Sequence, residues 1–135
     1  MLRSFGAIVV ALAVGGGAHG VDPIPPFLVG VWATDGAVLK GPLLFEGQAL
    51  YLGADGIGAI VGGSPPIGFK IVASFNAEKG TIEFDAYEGN QRGPHGMYFY
   101  DPGSGTIDSG TPQHQLLRRR YDTLSDETKH ALGLK

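Results

Sequence analysis

Hydrophobic and polar residues alternate along the middle of the chain. Between Phe69 and Phe75 apolar side chains occupy every second position, and a period of two recurs between Thr81 and Tyr87. Successive side chains of a strand point to opposite faces, so this period predicts two strands that are each buried on one face. Asn76 to Gly80 has the composition of a turn, and the two strands are therefore predicted to pair as a hairpin.

Further segments rich in β-forming residues lie on both sides of this hairpin. Ala54-Asp55-Gly56 separates two of them, and Asp-Gly tolerates the positive φ angles that a tight hairpin turn requires. Asp101 to Gly105 is a second turn of this kind. The strands predicted from these segments are Phe27 to Thr34, Gln48 to Leu52, Ile57 to Gly62, Met97 to Tyr100, Thr106 to Ser109 and Gln113 to Tyr121.

After the last predicted strand the pattern becomes that of a short helix. Ser125 is a good N-cap, Asp126 and Glu127 follow in the first turn, and Gly133 can end the helix. About seven or eight short strands in sequential hairpins favour an all-β fold, namely a small up-and-down antiparallel β-barrel. We predict this barrel over residues 27–121 and a helical tail over residues 122–135. A two-sheet sandwich is the alternative.

The first 20 residues have a different composition from the rest of the chain. Arg3 supplies a positive charge, Phe5 to Val14 is an uncharged apolar run, and Ala18-His19-Gly20 places small residues before a cleavage point, which together are typical of a signal peptide. An apolar run of about ten residues is half of the roughly 20 needed to span a bilayer. We predict export to the periplasm or the medium, a Pro-rich lead-in over residues 21–26, and no membrane span in the mature chain.

Charge and side-chain chemistry exclude several classes of function. With 10 Lys and Arg against 13 Asp and Glu, the chain has no electrostatic basis for binding nucleic acid, and with no cysteine it has no disulfide or thiolate metal site. His95, His114 and His130 lack the spacing of a zinc site. Glu83 and Asp85 share the face opposite the apolar one and are interpreted as solvated. We therefore predict a non-catalytic protein without metal or cofactor.

Two motifs at the ends of the predicted barrel resemble those of a known superfamily. Gly30-Val31-Trp32 lies in the first strand, and Leu116-Leu117-Arg118-Arg119-Arg120 lies in the last. Together they resemble the calycins, which include lipocalins, fatty-acid-binding proteins and avidins. In calycins an early Trp packs beneath a late Arg or Lys, since a guanidinium stacks on an indole and also donates to carbonyl groups. The resemblance implies that one end of a barrel is closed by Gly30, Trp32 and one of Arg118, Arg119 and Arg120.

The interior of such a barrel is the candidate binding site. An eight-stranded barrel is just wide enough to be filled by side chains or to hold one small ligand, and both outcomes stay open. The predicted lining is Phe69, Ile71, Phe75, Ile82, Phe84 and Phe99. We predict a lipocalin-like barrel that binds a small apolar or amphipathic ligand.

Two kinds of protein partner are the alternatives. An envelope protein-interaction module, such as an inhibitor of a secreted protease or lysozyme, would use loops such as Glu88 to Gly96. A homo-oligomer would explain why Ile57, Ile60 and Val61 place apolar side chains on both faces of one strand. Covering of that strand by the C-terminal helix explains the same pattern.

Overall fold

The structure is a computed structural model that describes residues 24–110 and 115–134. Nine strands and one helix lie within these residues. The strands are β1 Gly30–Thr34, β2 Val38–Lys40, β3 Leu43–Leu52, β4 Ile57–Gly63, β5 Pro66–Asn76, β6 Thr81–Glu88, β7 Gln91–Asp101, β8 Thr106–Asp108 and β9 Leu116–Tyr121, and the helix is α1 Asp126–Ala131. The predicted signal peptide, residues 21–23 of the lead-in, and Gln113 and His114 lie outside the described residues.

Eight of the strands close into an antiparallel barrel. Their order around the barrel is β1-β9-β8-β7-β6-β5-β4-β3, and β3 pairs again with β1. β2 is an additional short strand that pairs only with β3. The predicted up-and-down barrel is therefore confirmed, and the sandwich is excluded because the sheet closes on itself.

Several strands differ in length from the prediction. β1 begins at Gly30 rather than Phe27, because the preceding segment folds into turns in which the amide of Leu28 donates to Pro25 O at 2.9 Å and that of Val29 donates to Pro26 O at 3.3 Å. β7 begins six residues before Met97, since its partner β6 continues to Glu88. Backbone pairing does not require apolar side chains, so the alternation pattern did not include this part of the strand. β2 was not predicted, because a strand of three residues is too short to show an alternation pattern.

Inside the barrel lies a packed apolar cluster, called here the inner core. Residues directly opposite each other on paired strands share a face, so the pairs Phe75 with Ile82 and Ile107 with Leu117 point inward together. The buried members of the inner core are Ile24, Leu28, Trp32, Leu50, Leu52, Ile71, Ala73, Phe75, Ile82, Phe84, Ile107 and Leu117. Burial of these side chains stabilises the barrel through the hydrophobic effect.

A second cluster, the outer core, lies on the outside of β1, β3 and β4. Its buried members are Val31, Ala33, Leu44, Ala49, Tyr51, Ala59, Val61, Leu124 and Leu134. Ala37 and Leu39 cover it from one side, and Leu132 covers it together with the C-terminal segment. The apolar residues on both faces of β4 are thus explained within one chain, since Ile60 packs on the inner core and Val61 belongs to the outer core.

Helix α1 begins and ends as predicted. Ser125 Oγ accepts a hydrogen bond from the amide of Thr128 at 3.1 Å, and Gly133 has a φ of 76°. A serine oxygen satisfies one of the free amides of the first turn, and glycine adopts the left-handed conformation that ends a helix. Within residues 24–110 and 115–134, no helix has the length and hydropathy needed to span a bilayer.

Candidate functional site

The two ends of the barrel have different structures. We call the end at which β1 begins at Gly30 and β9 ends at Tyr121 the closed end. We call the end at which β1 finishes at Thr34 and β5 begins at Pro66 the mouth. Antiparallel strands run between these ends, so the long strands contribute residues to both.

Trp32 and Arg119 close the first end. Trp32 is 2% exposed, and its indole Nε1 donates to Leu28 O at 3.0 Å. The guanidinium carbon of Arg119 lies 6.0 Å from the centroid of the Trp32 ring. The same guanidinium donates to Val29 O and, through Nη2 at 2.7 Å, to Pro26 O. These bonds hold the turn that precedes β1 across the end of the barrel.

The other two arginines of the motif point elsewhere. Arg118 Nε donates to Asp35 Oδ1 at 2.9 Å on the exposed surface, and Arg120 Nη2 donates to Thr34 O at 2.6 Å.

Gly30 has a φ of 134°, and a Cβ at this position would overlap the carbonyl of Tyr121. The Gly-x-Trp motif therefore needs glycine for conformation and for the close approach of β9.

An open cavity of about 350 Å³ lies at the mouth. The register places its walls on the inward face, because Leu50 is opposite Ile60 and Ile60 is opposite Phe69. The side chains that line it from this face are Gln48, Ile60, Ile67, Phe69, Tyr98 and Leu117. The cavity is thus the part of the barrel interior that the inner core leaves unfilled.

Aromatic packing shapes one side of the cavity. The Phe84 ring lies edge-on to the Tyr98 ring, with centroids 5.3 Å apart at an angle of 71°. Gly96 is opposite Phe84, and a Cβ at Gly96 would lie too close to the Phe84 ring. Glycine at this position therefore lets the Phe84 ring lie across the neighbouring strand.

Tyr98, whose side chain ends in a hydroxyl group, is one of the residues that line the cavity. Burial raises the pKa of Tyr98 above its ordinary value. Among the described residues, none forms a hydrogen bond with this hydroxyl. A phenol is protonated at neutral pH, so its hydroxyl can donate one hydrogen bond to a bound molecule.

The structure separates the six residues predicted to line the cavity. Phe69 lies at the cavity, whereas Ile71, Phe75, Ile82 and Phe84 are buried in the inner core. Their part in ligand binding stays a prediction.

The predicted inward position of Phe99 is wrong. Phe99 is 45% exposed and lies opposite Asp108, while the side chains that pack against the inner core are those of Tyr98 and Tyr100. Residues 97–100 are apolar or aromatic on both faces, so alternation did not show which face points inward. The predicted lining also lacked the cavity residues Gln48, Ile60, Ile67, Tyr98 and Leu117. Ile67 continues the period of two from Phe69, and that signal was present in the sequence.

A charged network lies on the outer surface of β6 and β7. His95 Nδ1 is 3.0 Å from Asp85 Oδ1, and Arg92 Nη2 is 3.3 Å from Asp85 Oδ2. His95 Nε2 is 3.9 Å from Glu83 Oε1, and the His95 side chain is 57% exposed. These groups face away from the cavity. Within the described part of the chain, no cluster of three or more His, Asp or Glu side chains is placed to hold a metal ion.

Comparisons with family models, with curated proteins and with solved structures found no match. The closed barrel of eight antiparallel strands is consistent with a calycin-like barrel.

Proposed function

We propose that this protein is an exported, lipocalin-like barrel that binds one small apolar or amphipathic molecule in its mouth without changing it chemically. The observation that carries the proposal is the exposure of inward-facing apolar side chains at the mouth. Ile67 is 66% exposed and Phe69 is 43% exposed. Covering apolar surface in a concave site is favourable, and this is how small-molecule sites usually obtain their affinity.

The size and composition of the cavity support this proposal. A volume of about 350 Å³ lies at the lower end of the range of about 300 to 1,000 Å³ common for ligand pockets. Such pockets are lined mainly by apolar and aromatic side chains with a few polar groups that orient the ligand. Here Tyr98 and Gln48 supply the polar groups.

The closed end supports a binding role in a different way. The Trp32 and Arg119 contacts fill the opposite end, so a ligand enters and leaves through the mouth. Binding in a site formed by a closed barrel needs little reorganisation, which lowers the entropic cost of association. The amino-terminal pattern around Arg3 and Ala18-His19-Gly20 supports export.

The absence of chemical change is part of the proposal. His95 and Asp85 are the residues that most resemble an acid-base pair, and they lie on the outer surface. General acid-base catalysis needs such groups within hydrogen-bond reach of the substrate. A molecule bound in the mouth is separated from them by the barrel wall.

Native mass spectrometry of the mature protein, purified from its own host before and after organic extraction, tests for a ligand. We expect a removable adduct whose mass identifies the bound molecule. A mass equal to the bare chain in both samples, together with no saturable binding of the neutral fluorescent probe N-phenyl-1-naphthylamine, would contradict the proposal.

A matched pair of variants on β5 locates the binding site. Phe69→Asp places a charge on the inward face, whereas Val72→Asp places one on the outward face at an equal exposure of 43%. We expect Phe69→Asp to weaken probe binding by about tenfold or more, since an unpaired charge in an apolar site is costly. Val72→Asp should bind like the unaltered protein. Equal effects in the two variants would place the probe elsewhere.

The second candidate is a protein-interaction module, and a separate observation favours it. Met97 and Phe99 are neighbouring apolar side chains on the outside of β7, with exposures of 40% and 45%, and Leu116 on β9 is 43% exposed beyond Asp108 of the intervening β8. The region Glu88 to Gly96, predicted as a loop, is mainly the tip of the β6–β7 hairpin, because Glu88 pairs with Gln91. Inhibition of secreted lysozymes or proteases that is lost in Phe99→Ser and kept in Phe69→Ser would favour this function.

A further inference from the structure

We propose that the molecule bound at the mouth is uncharged and carries one hydrogen-bond acceptor that pairs with the Tyr98 hydroxyl. This inference rests on the proposed function and specifies the chemical class of its ligand. Two features of the cavity carry it: the uncharged lining and the Tyr98 hydroxyl, which is unpartnered among the described residues.

The lining of the cavity holds no ionisable group that is charged at neutral pH among the described residues. Its members are Gln48, Ala49, Ile60, Val61, Gly62, Ile67, Phe69, Tyr98 and Leu117. A carboxylate, phosphate or ammonium group moved from water into such surroundings loses hydration and finds no counter-charge. Charged ligands are therefore penalised relative to neutral ligands of the same shape.

Tyr98 supplies the polar contact. Its side chain points inward opposite Ile82, and its hydroxyl has no hydrogen-bond partner within the described part of the chain. The hydroxyl is protonated at neutral pH, and burial raises the pKa of Tyr98 further above that range. A carbonyl or ether oxygen on the ligand would accept this hydrogen bond and remove the cost of leaving the hydroxyl unpaired.

The rim of the mouth carries charges of both signs. Gln48 also lines an adjoining surface depression that contains Asp35 and Glu46. Arg118 pairs with Asp35, and Arg120 Nη2 donates to the carbonyl of Thr34, which lines the same depression, whereas Glu46 has no ion pair among the described residues. These charges lie outside the lining of the cavity, so an ion bound within the cavity finds no counter-charge among the lining residues.

Four naphthalene compounds test the inference, of which three are of nearly equal size and the unsubstituted ring is a smaller reference. They are 2-acetylnaphthalene, naphthalene, 2-naphthoate and 2-naphthylmethylammonium, each titrated into the mature protein at pH 7 and followed by the fluorescence of the ring. We expect 2-acetylnaphthalene to bind at least about tenfold more tightly than either ion, because the ions must leave water without a counter-charge.

Tyr98→Phe and Tyr100→Phe are the matched variants. Both residues lie on β7 with inward, half-buried rings, but Tyr100 belongs to the closed end with Phe27 and Trp32. Loss of the Tyr98 hydroxyl should weaken the binding of 2-acetylnaphthalene by about fivefold, as expected for one hydrogen bond. The affinity for naphthalene, which has no acceptor, should be unchanged. Tyr100→Phe should change neither.

The outcomes separate the two proposals. Equal or tighter binding of an ion, or an unchanged affinity in Tyr98→Phe, overturns this inference while leaving ligand binding in place. A carboxylate, phosphate or ammonium group in a co-purified adduct overturns it as well. A protein that binds none of the four compounds and carries no adduct contradicts the proposed function and this inference together.

Discussion

The closed end and the mouth are made by the same strands, yet their inward side chains have opposite environments. At the closed end Trp32 is 2% exposed, whereas at the mouth Phe69 is 43% exposed. The difference comes from an additional segment. The turn before β1 places Leu28 in the interior and gives Arg119 carbonyl groups to bind. Strand pairing alone leaves a barrel end open, and a connecting segment is needed to close it.

The largest effect is expected at Trp32. Trp32→Ala should lower the free energy of unfolding by about 3 to 5 kcal/mol, because a large buried aromatic is removed and a cavity remains. Denaturant unfolding followed by circular dichroism measures this. Unchanged stability would mean that the Trp32 contacts do not hold the closed end.

Arg119 and Arg118 form the next comparison. Arg119→Met removes donors from the carbonyl groups of Pro26 and Val29 and should cost about 1.5 to 3 kcal/mol. Arg118→Met removes an exposed pair with Asp35 and should cost about 1 kcal/mol or less. Thermal unfolding of both variants checks the order. Similar losses would show that closure does not depend on which arginine faces inward.

Substitutions at Phe75 and Phe69, which both lie on β5, compare how much the inner core and the mouth contribute to stability. Phe75 is 8% exposed, so Phe75→Ala should destabilise by about 3 kcal/mol. Phe69→Ala removes a half-exposed ring, and its cost should be about 1 kcal/mol. Equal losses of stability would mean that the mouth is packed as firmly as the core.

Tyr51 tests the outer core, where a moderate effect is expected. Its hydroxyl donates to Pro42 O at 2.6 Å and accepts from the amide of Leu44 at 3.0 Å, so Tyr51→Phe should cost about 1 to 2 kcal/mol. Burial raises the pKa of Tyr51 from 10.0, more than the Leu44 hydrogen bond lowers it.

The sign of the pH dependence follows from this shift. A pKa that is higher in the folded than in the unfolded state contributes stability that is complete below pH 10.0 and is lost as the pH rises through the folded value. Tyr51→Phe should therefore show a smaller loss of stability between neutral and strongly alkaline pH than the unaltered protein. Denaturant titrations across this range measure the two slopes. Parallel slopes would contradict the assignment to Tyr51.

Local features of the fold were predictable because they depend on neighbouring residues. In the Asn76 to Gly80 turn, the amide of Gly80 donates to Asn76 O at 2.8 Å, and the Asn76 side chain accepts from the amide of Lys79 at 3.1 Å. Gly56 has a φ of 87° in the Asp-Gly turn. Turn chemistry and side-chain alternation act over a few residues, so they are visible in the amino-acid sequence.

Which face of a strand points inward depended on partners distant in the chain. Residues 97–100 allow either face, and the pairing of Tyr98 with Ile82 selects the inward one. Likewise Arg119 lies over the indole because β9 pairs with β1 in a register that places it opposite Trp32. Register is set by the whole hydrogen-bonded circuit of strands, and no single segment contains it.

The strand pattern, the turns, the C-terminal helix and the paired Trp and Arg motifs are properties of the amino-acid sequence, because each arises from local backbone and side-chain preferences. The filling of the closed end, the cavity at the mouth and the exposure of Phe69 arose only in the assembled barrel. The volume of the cavity is the volume enclosed by the eight strands minus the volume of the side chains that all of them place inside. Such a difference is a property of the folded molecule as a whole.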